Sequence, residues 1–248
     1  MSRLTKTQTV RHRASAARLR PKDAATLIIV DHSQAEPMVL MGQRHPNLAF
    51  LPGKYVFPGG RVSLADHRLR ISSDLHPLTL DCLLTGMKGR PSQARARAIA
   101  LAALRETFEE TGILIGTRRP DGMSTRSREW QPFLSHGVAP KLDQLRFIAR
   151  AITPPDRNRR FDTRFFCVSA TEIVDRSPSY DNELLNQEWL TIEEAHKRDI
   201  ISITREILQQ LEQIFSSGKG FSQPHSVPFF FMRNGVRCKE FIASDRIT

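Results

Sequence analysis

The chain has 248 residues, of which 40% are hydrophobic and 25% are charged. This ordinary globular composition excludes a disordered, collagen-like or disulfide-scaffold protein. The longest uninterrupted apolar run, 98–104, has seven residues, far fewer than the ~18 to 20 of a membrane-spanning helix, so we expect a soluble protein without a membrane partner.

The net charge of +11 is concentrated at the start of the chain. Residues 1–22 carry seven Lys or Arg and no acid, which leaves 30 basic against 26 acidic groups in the remainder. We therefore expect a basic N-terminal arm, residues 1–22, and one domain, residues 23–248. We interpret the arm as a solvated tail, with an organellar transit peptide and a segment that binds anions or nucleic acid as alternatives. The three cysteines lack disulfide or metal-ligand spacing, which favours a reducing compartment and hence the cytoplasm.

The first part of the domain is predicted to contain two strands and a structured loop. The apolar runs at 24–30 and 38–41 predict neighbouring strands. Six Pro and Gly residues between 45 and 60 indicate a structured loop. Residues 61–90 show no sustained period, and we expect an insertion packed on the surface.

A long helix is predicted over 93–111, with Ser92 as N-cap and Gly112 at its end. Residues 117–140 are polar and predict a loop with a short helix. The rest of the chain predicts three strands, at 147–153, 160–168 and 184–190, a short helix after Thr191, a longer helix over 200–215, and a strand pair at 228–232 and 237–242. This order of elements predicts one α/β domain with insertions.

The end of the long helix carries three carboxylates on one side. Glu106, Glu109 and Glu110 are spaced i, i+3 and i+4, and they stand in the last turns, where the helix dipole disfavours each acid by roughly 0.3 to 1 kcal/mol. A bound Mg²⁺ or Mn²⁺ would offset this cost, since hard cations prefer carboxylate oxygen. A solvated acidic face is the alternative. Arg105 is placed to pair with Glu109 at i, i+4, either as a surface ion pair or to orient a ligand.

These residues resemble the Nudix hydrolases, whose box reads G-x5-E-x7-R-E-U-x-E-E-x-G-U, where U is a bulky aliphatic residue. The segment R-E-T-F-E-E-T-G-I, from Arg105, matches the second half, with Thr107 at the first U. F-P-G-G, ending at Gly60, matches the entry to the box. Between Gly60 and Arg105 lie 44 residues instead of 13. Counted back from Arg105, the first box glutamate falls on Arg97 and is expected to be missing.

The segments around the box entry are similar to a long-insertion subgroup that includes coenzyme A diphosphatases. L-M-G-Q-R at 40–44, P-G at 52–53 and V-F-P-G-G at 56–60 are the matching residues. Ala49 stands where that subgroup would have a second arginine. Coenzyme A or acyl-CoA is therefore one expected substrate, and dinucleotides, nucleotide sugars and nucleoside triphosphates are the alternatives.

The resemblance implies a Nudix-type α/β/α sandwich with a mixed sheet and a metal-dependent pyrophosphohydrolase that cleaves nucleoside diphosphate derivatives. It implies Mg²⁺ or Mn²⁺ held by Glu106, Glu109, Glu110 and the carbonyl of Gly60, with Arg105 in the catalytic group. The expected substrate contacts are Arg44, Tyr55, Phe57, Arg160 and Arg164.

Several roles stay open. Instead of contacting substrate, Arg160 and Arg164 could form a cross-strand salt-bridge ladder. Tyr55 and Phe57 could pack in the core. The candidates for the proton acceptor are Glu106, Glu183 and Glu188. The whole chain has two further interpretations: a Nudix-fold protein that binds nucleotide or nucleic acid without hydrolysing it, and an interaction domain. Nucleic acid is not the expected partner of the enzyme, and a homodimer is compatible with the resemblance.

Overall fold

The computed structural model describes residues 19–71, 73–119, 125–216, 221–222, 224 and 226–244, so residues 1–18 of the expected arm lie outside it. The strands are β1 (Lys22–Asp31), β2 (Met38–Arg44), β3 (Tyr55–Val56), β4 (Gly59–Arg61), β5 (Ile113–Arg118), β6 (Val138–Pro140), β7 (Arg146–Ile152), β8 (Phe161–Ser169), β9 (Ile173–Arg176), β10 (Leu184–Thr191), β11 (Ser226–Arg233) and β12 (Val236–Ala243). The helices are α1 (Leu64–Arg68), α2 (Pro77–Thr85), α3 (Gln93–Thr111), α4 (Gln131–Leu134), α5 (Ile192–Lys197) and α6 (Ser202–Ser216).

The main sheet is mixed and has the order β10-β2-β1-β8-β7-β11-β12. The β1–β8 and β7–β11 pairs are parallel, and the other neighbours are antiparallel. The short strands β3 and β4 pair with β2 and β1. A second sheet has the order β6-β5-β9. The mixed sheet expected from the sequence is confirmed.

Two apolar clusters lie on opposite faces of the main sheet, because alternate residues of a strand point to opposite sides. Leu27 and Ile29 of β1 face the cluster that contains the buried stripe of α3. Ile28 and Val30 face the cluster that contains α5 and α6. The molecule is therefore an α/β/α sandwich, and α3 lies on one face of its central strands.

Local signals determine both ends of α3. The Ser92 hydroxyl accepts a hydrogen bond from the amide of Arg95 at 3.3 Å, and Gly112 adopts the left-handed conformation with φ 73°. A Cβ at Gly112 would overlap the carbonyl oxygen of Ser177, so close packing also requires glycine there. The predicted helix, 93–111, is confirmed at both ends.

The region after Gly60 differs from the expectation of a surface insertion. Its helix α2 buries Cys82 and Leu83 in the cluster around α3, and Leu75 and Met87 are buried beside them. A nine-residue helix is too short to display a clear period, so its apolar residues were not recognisable as one buried face. The insertion is thus part of the core.

The region 117–140, predicted as a polar loop with a short helix, also contributes to the core. Trp130 and Phe133 are fully buried, and β5 and β6 pair in the second sheet.

The predicted hairpin around Asn234-Gly235 is confirmed, with φ 51° and 80° at these residues, as a tight two-residue turn requires. In the described part of the chain, no helix has the length and apolar character needed to cross a bilayer.

Candidate active site

The last two turns of α3 bring Glu106 and Glu110 against the Gly59-Gly60 corner. The amide of Gly59 donates to Oε2 of Glu110 at 2.9 Å. A Cβ at Gly60 would overlap the carboxylate of Glu106, so any side chain there would displace that group. β4 is held in this position because it pairs with β1, with Gly60 opposite Ala25. The corner and the helix therefore form one wall of backbone and carboxylate oxygens.

The guanidinium of Arg105 is at the centre of the cluster and is only 4% exposed. Its Nη1 lies 2.9 Å from Oε1 of Glu106 and 3.0 Å from Oε2 of Glu109. Its Nη2 donates to the carbonyl of Arg61 at 3.1 Å, which fixes the backbone next to Gly60. Arg105 therefore orients two glutamates and the glycine corner at once.

Asp66 completes the binding of Arg105 and corrects one expectation from the sequence. Its carboxylate accepts from Nε and Nη2 of Arg105 at 2.9 and 3.0 Å and is 1% exposed. Counted forward from Gly60, Asp66 stands at the position of the first box acid, so this acid is present as aspartate. The prediction that it falls on Arg97 and is missing was wrong, because the insertion begins after Asp66. Arg97 instead pairs with Asp74 within the insertion.

The three glutamates are short of compensating positive charge. Burial raises the pKa of Glu110 well above its ordinary value. Burial, opposed by Arg105 but reinforced by Glu109, raises the pKa of Glu106 to about 7. Burial is also the main cause that raises the pKa of Glu109. Buried carboxylates with raised pKa values are typical of functional sites, where a ligand supplies the missing charge.

Carboxylate and carbonyl oxygens are the donors that Mg²⁺ and Mn²⁺ prefer, so the donor set fits such an ion. The side chains are not arranged as a closed cage: within the described ranges, no three acid, His or Cys side chains converge as ligands of one ion. Glu106 and Glu109 are instead bonded to Arg105.

Arg44 extends the site toward the loop before β10. Its Nη1 lies 3.9 Å from Oε1 of Glu110, its Nη2 lies 3.6 Å from Oε2 of Glu183, and its Nε donates to the carbonyl of Phe50 at 3.0 Å. The long ion-pair distances leave the outer edge of the guanidinium less tightly bound than that of Arg105. Arg44 is the expected substrate contact that the structure places beside the glutamates.

The segment 177–183 caps the C-terminus of α3 and adds an acid that the sequence analysis missed. The amides of Tyr180 and Asp181 donate to the carbonyl of Glu109 at 2.8 and 3.1 Å. Burial raises the pKa of Asp181, and its charge acts on Glu109 and Glu110. Asp181 is about 70 residues beyond the box, and only the polar turn sequence S-Y-D-N around it marked the segment.

The other expected substrate arginines are bonded elsewhere. Arg164 is 2% exposed, and its Nη1 donates to Asp23 at 2.7 Å and to the carbonyl of Asp162 at 2.8 Å. Arg160 donates to the carbonyls of Thr153 and Leu19 at 3.1 and 2.8 Å. The salt-bridge alternative therefore describes Arg164, whereas Arg160 ties backbone segments together.

The two expected aromatic contacts belong to the opposite face of the sheet. Phe57 is 5% exposed and lies in the cluster with α6. Tyr55 packs against the same cluster, with the guanidinium of Arg198 at 5.2 Å from its ring centre. Burial is the main cause that raises the pKa of the Tyr55 hydroxyl, and a hydrogen bond with Glu188 raises it further. The carboxylate of Glu188 also lies 2.7 Å from the guanidinium of Arg198. The structure therefore does not bring Tyr55, Phe57 or Glu188 to the glutamates.

Comparison with known proteins places this geometry in a fold family. No family model matches the chain. The crystal structure of a NUDIX hydrolase from Alicyclobacillus acidocaldarius is 25% identical, with a TM-score of 0.60 over 81% of this chain and 97% of that one. The chain has the Nudix hydrolase fold. The similarity confirms the predicted fold class and supports an enzyme assignment as a Nudix pyrophosphohydrolase.

Other solved structures match at lower similarity. The NUDIX domain of Shewanella oneidensis NrtR, crystallised with ADP ribose, is 10% identical with a TM-score of 0.46 over 79% of this chain and 90% of that one. A MutT NUDIX hydrolase from Burkholderia pseudomallei is 14% identical with a TM-score of 0.44 over 78% of this chain and 99% of that one.

Proposed function

We propose that the chain is a divalent-metal-dependent Nudix hydrolase that cleaves the diphosphate linkage of a nucleoside diphosphate derivative. The observation that carries this proposal is the wall that Glu106 and Glu110 form against Gly59-Gly60, with Glu109 joined to it through Arg105. Glu110 is buried and the other two glutamates are partly buried, and the wall is short of positive charge and built from oxygen donors. A helix end with no ligand would gain stability by replacing these acids, so their presence favours a bound cation.

The residues proposed to hold Mg²⁺ or Mn²⁺ are Glu106, Glu109, Glu110 and the carbonyl of Gly60. When bound, the ion would neutralise charge on the diphosphate and activate a water molecule for displacement at phosphorus. Glycine suits the carbonyl position because a side chain there would overlap Glu106. Arg105 positions the glutamates, and its own carboxylate partner, Asp66, keeps it from turning into the site.

Arg44 is the proposed diphosphate contact. Its guanidinium lies between Glu110 and Glu183 at the rim, where it can exchange these long ion pairs for bonds to phosphate oxygens. No such role is proposed for Arg160 or Arg164, because both are bonded to protein oxygens. For the proton acceptor, Glu106 and Glu183 remain the candidates, since Glu188 pairs with Arg198 on the other face.

Within this reaction class we propose coenzyme A or acyl-CoA as the first substrate to test, on the resemblance around the box entry. Because Ala49 replaces the second arginine of that subgroup, dinucleotides, nucleotide sugars and nucleoside triphosphates are the alternative substrates. The cytoplasmic location, the homodimer and the division into residues 1–22 and 23–248 stay predictions.

The test is product release from coenzyme A, NADH, ADP-ribose and nucleoside triphosphates with Mg²⁺ or Mn²⁺. Turnover that requires the metal and is lost in Glu109→Gln/Glu110→Gln would establish the hydrolase and its substrate class. Nucleotide binding without turnover across the panel would contradict the proposal and favour the non-catalytic binder. In that case, deletion of residues 1–22 would test whether the arm binds nucleic acid. Such binding should be sensitive to salt, and the deletion should abolish it.

A further inference from the structure

The indole of Trp130 reaches the candidate site from a segment that the Nudix box does not include. Its Nε1 donates to Oδ1 of Asp66 at 3.0 Å. We propose that Trp130, in the segment 125–137, is a positioning residue that acts through Asp66 on Arg105. This inference rests on the proposed function.

The carboxylate of Asp66 has all of its acceptor capacity in use. Oδ2 accepts from the amide of Ser63 at 2.8 Å and from Nη2 of Arg105 at 3.0 Å. Oδ1 accepts from Nε of Arg105 at 2.9 Å and from the indole of Trp130. A carboxylate offers about four acceptor positions, so none is left over. Trp130 is the one donor of the four that comes from outside the two halves of the box.

The extra donor has a physical reason in the choice of aspartate. Its side chain is one methylene shorter than the glutamate of the usual box, and the capping box of α1 draws it back toward the amide of Ser63. The Trp130 indole binds Oδ1 and so holds the plane of the carboxylate in line with the fork of Arg105. That fork in turn sets the positions of Glu106 and Glu109.

The indole is itself held rigidly. Trp130 is fully buried, and its ring lies edge-on to Phe133 with centroids 5.3 Å apart. Phe133 is likewise edge-on to Phe108 of α3 at 5.4 Å. The segment therefore contacts the catalytic helix by two separate routes, one polar through Asp66 and one aromatic through Phe133. The two routes can be broken one at a time.

The test compares Trp130→Phe, which keeps an aromatic ring but removes the donor, with Phe133→Leu, which weakens packing but leaves the donor. In Trp130→Phe we expect kcat to fall about tenfold, equivalent to about 1.4 kcal/mol, with KM changed less than about twofold and with Mn²⁺ affinity lowered several-fold. In Phe133→Leu we expect a lower melting temperature with kcat and Mn²⁺ affinity retained. Wild-type kcat and Mn²⁺ affinity in Trp130→Phe, or equal losses in both variants, would overturn the proposal.

A spectroscopic readout separates this inference from the proposed function. The chain has two tryptophans, so Trp189→Phe leaves Trp130 as the sole indole. We expect its indole N–H resonance to move when Asp66 is changed to Asn and when Mg²⁺ is added, with no Mg²⁺ effect in the added presence of Glu109→Gln/Glu110→Gln. A resonance that ignores Mg²⁺, in protein shown by calorimetry to bind Mg²⁺, would refute the coupling. Absence of metal-dependent turnover in the wild type refutes the proposed function instead.

Discussion

Two buried groups of charges lie on the same side of the central sheet, and they differ in balance. Around Arg164, two aspartates, Asp23 and Asp162, face three arginines, and the ion pairs are short, with Arg150 at 2.6 Å from Asp162. Arg95 is the third arginine and lies 2.6 Å from Asp23. Three arginines against two aspartates leave this network with a formal charge of only +1. It links α3, β1, β7 and β8.

The glutamate cluster at the other end of α3 has the opposite character. Six acids are grouped with the two arginines Arg105 and Arg44: Glu106, Glu109, Glu110, Asp66, Asp181 and Glu183. The pKa values respond accordingly: ion pairing holds the pKa of Asp23 below its ordinary value despite burial, whereas burial raises that of Glu110. A nearly balanced set of charges inside a protein indicates a structural role, whereas a large excess of one sign indicates a site that awaits a ligand.

The largest expected effect is on activity at the unbalanced cluster. Glu109→Gln/Glu110→Gln should lower kcat by about a thousandfold or more, because ion-supplied charge stabilisation is worth several kcal/mol. The same variant should melt at the wild-type temperature or above it in the absence of metal, since repulsion is removed. Steady-state kinetics and calorimetric melting measure the two effects. A loss of both activity and stability would mean that this cluster is structural too.

The next effect is on stability at the balanced network. Asp162→Asn should destabilise the fold by about 3 kcal/mol, because breaking a buried ion pair strands a charge on Arg150 and Arg164. Urea unfolding measures this change. The fraction that remains folded should keep the wild-type kcat. A drop in kcat larger than the loss of folded protein would assign a catalytic role to this network.

A smaller effect distinguishes Arg44 from Arg160, both of which the sequence predicts to contact the substrate. Arg44→Ala should raise KM about tenfold, since a charged hydrogen bond contributes about 1.5 to 3 kcal/mol. Arg160→Ala should leave kcat and KM within about twofold, because its partners are the backbone carbonyls of Thr153 and Leu19 and not the glutamates. Initial rates over a substrate range decide the matter. Equal KM values in the two variants would remove Arg44 from the proposed diphosphate site.

The smallest effect is the pH dependence of stability in metal-free protein. The pKa of Glu106 is raised by burial to about 7, so its contribution is fully present below the unfolded pKa near 4.5 and is lost as pH rises through 7. The melting temperature of Glu106→Gln relative to wild type should therefore increase from pH 5 to pH 8, by about 2 to 4 °C for each kcal/mol. With saturating Mg²⁺, the melting temperature of Glu106→Gln relative to wild type should instead fall from pH 5 to pH 8. A difference that does not vary with pH would contradict the burial argument.

Local signals made α3 predictable to the residue, because Ser92 and Gly112 act within one turn of its ends. The three glutamates followed from the same local spacing. β5 was missed although I-L-I-G at 113–116 is apolar, because it starts directly after Gly112 and its partners, β6 and β9, are distant in sequence.

Site residues that depend on long-range contacts were less accessible. A count back from Arg105 crosses the insertion and misses Asp66, whereas a count forward from Gly60 reaches it. Asp181 needed the fold of 177–183 onto α3. Arg164 is only four residues from Arg160, but its burial depends on ion pairs with Asp23 and Asp162, which sequence alone does not specify.

The ion pair between Asp66 and Arg105 has a consequence for how this chain tolerates extra sequence. The pair joins the two ends of the 38-residue excursion, 67–104, that separates the halves of the box. Closing a loop costs entropy that grows only with the logarithm of its length, so each doubling adds only about 0.6 kcal/mol. Lengthening the excursion from seven residues to 38 is therefore inexpensive once the pair has formed. A catalytic motif closed in this way can acquire a new structural element while its chemistry stays in place.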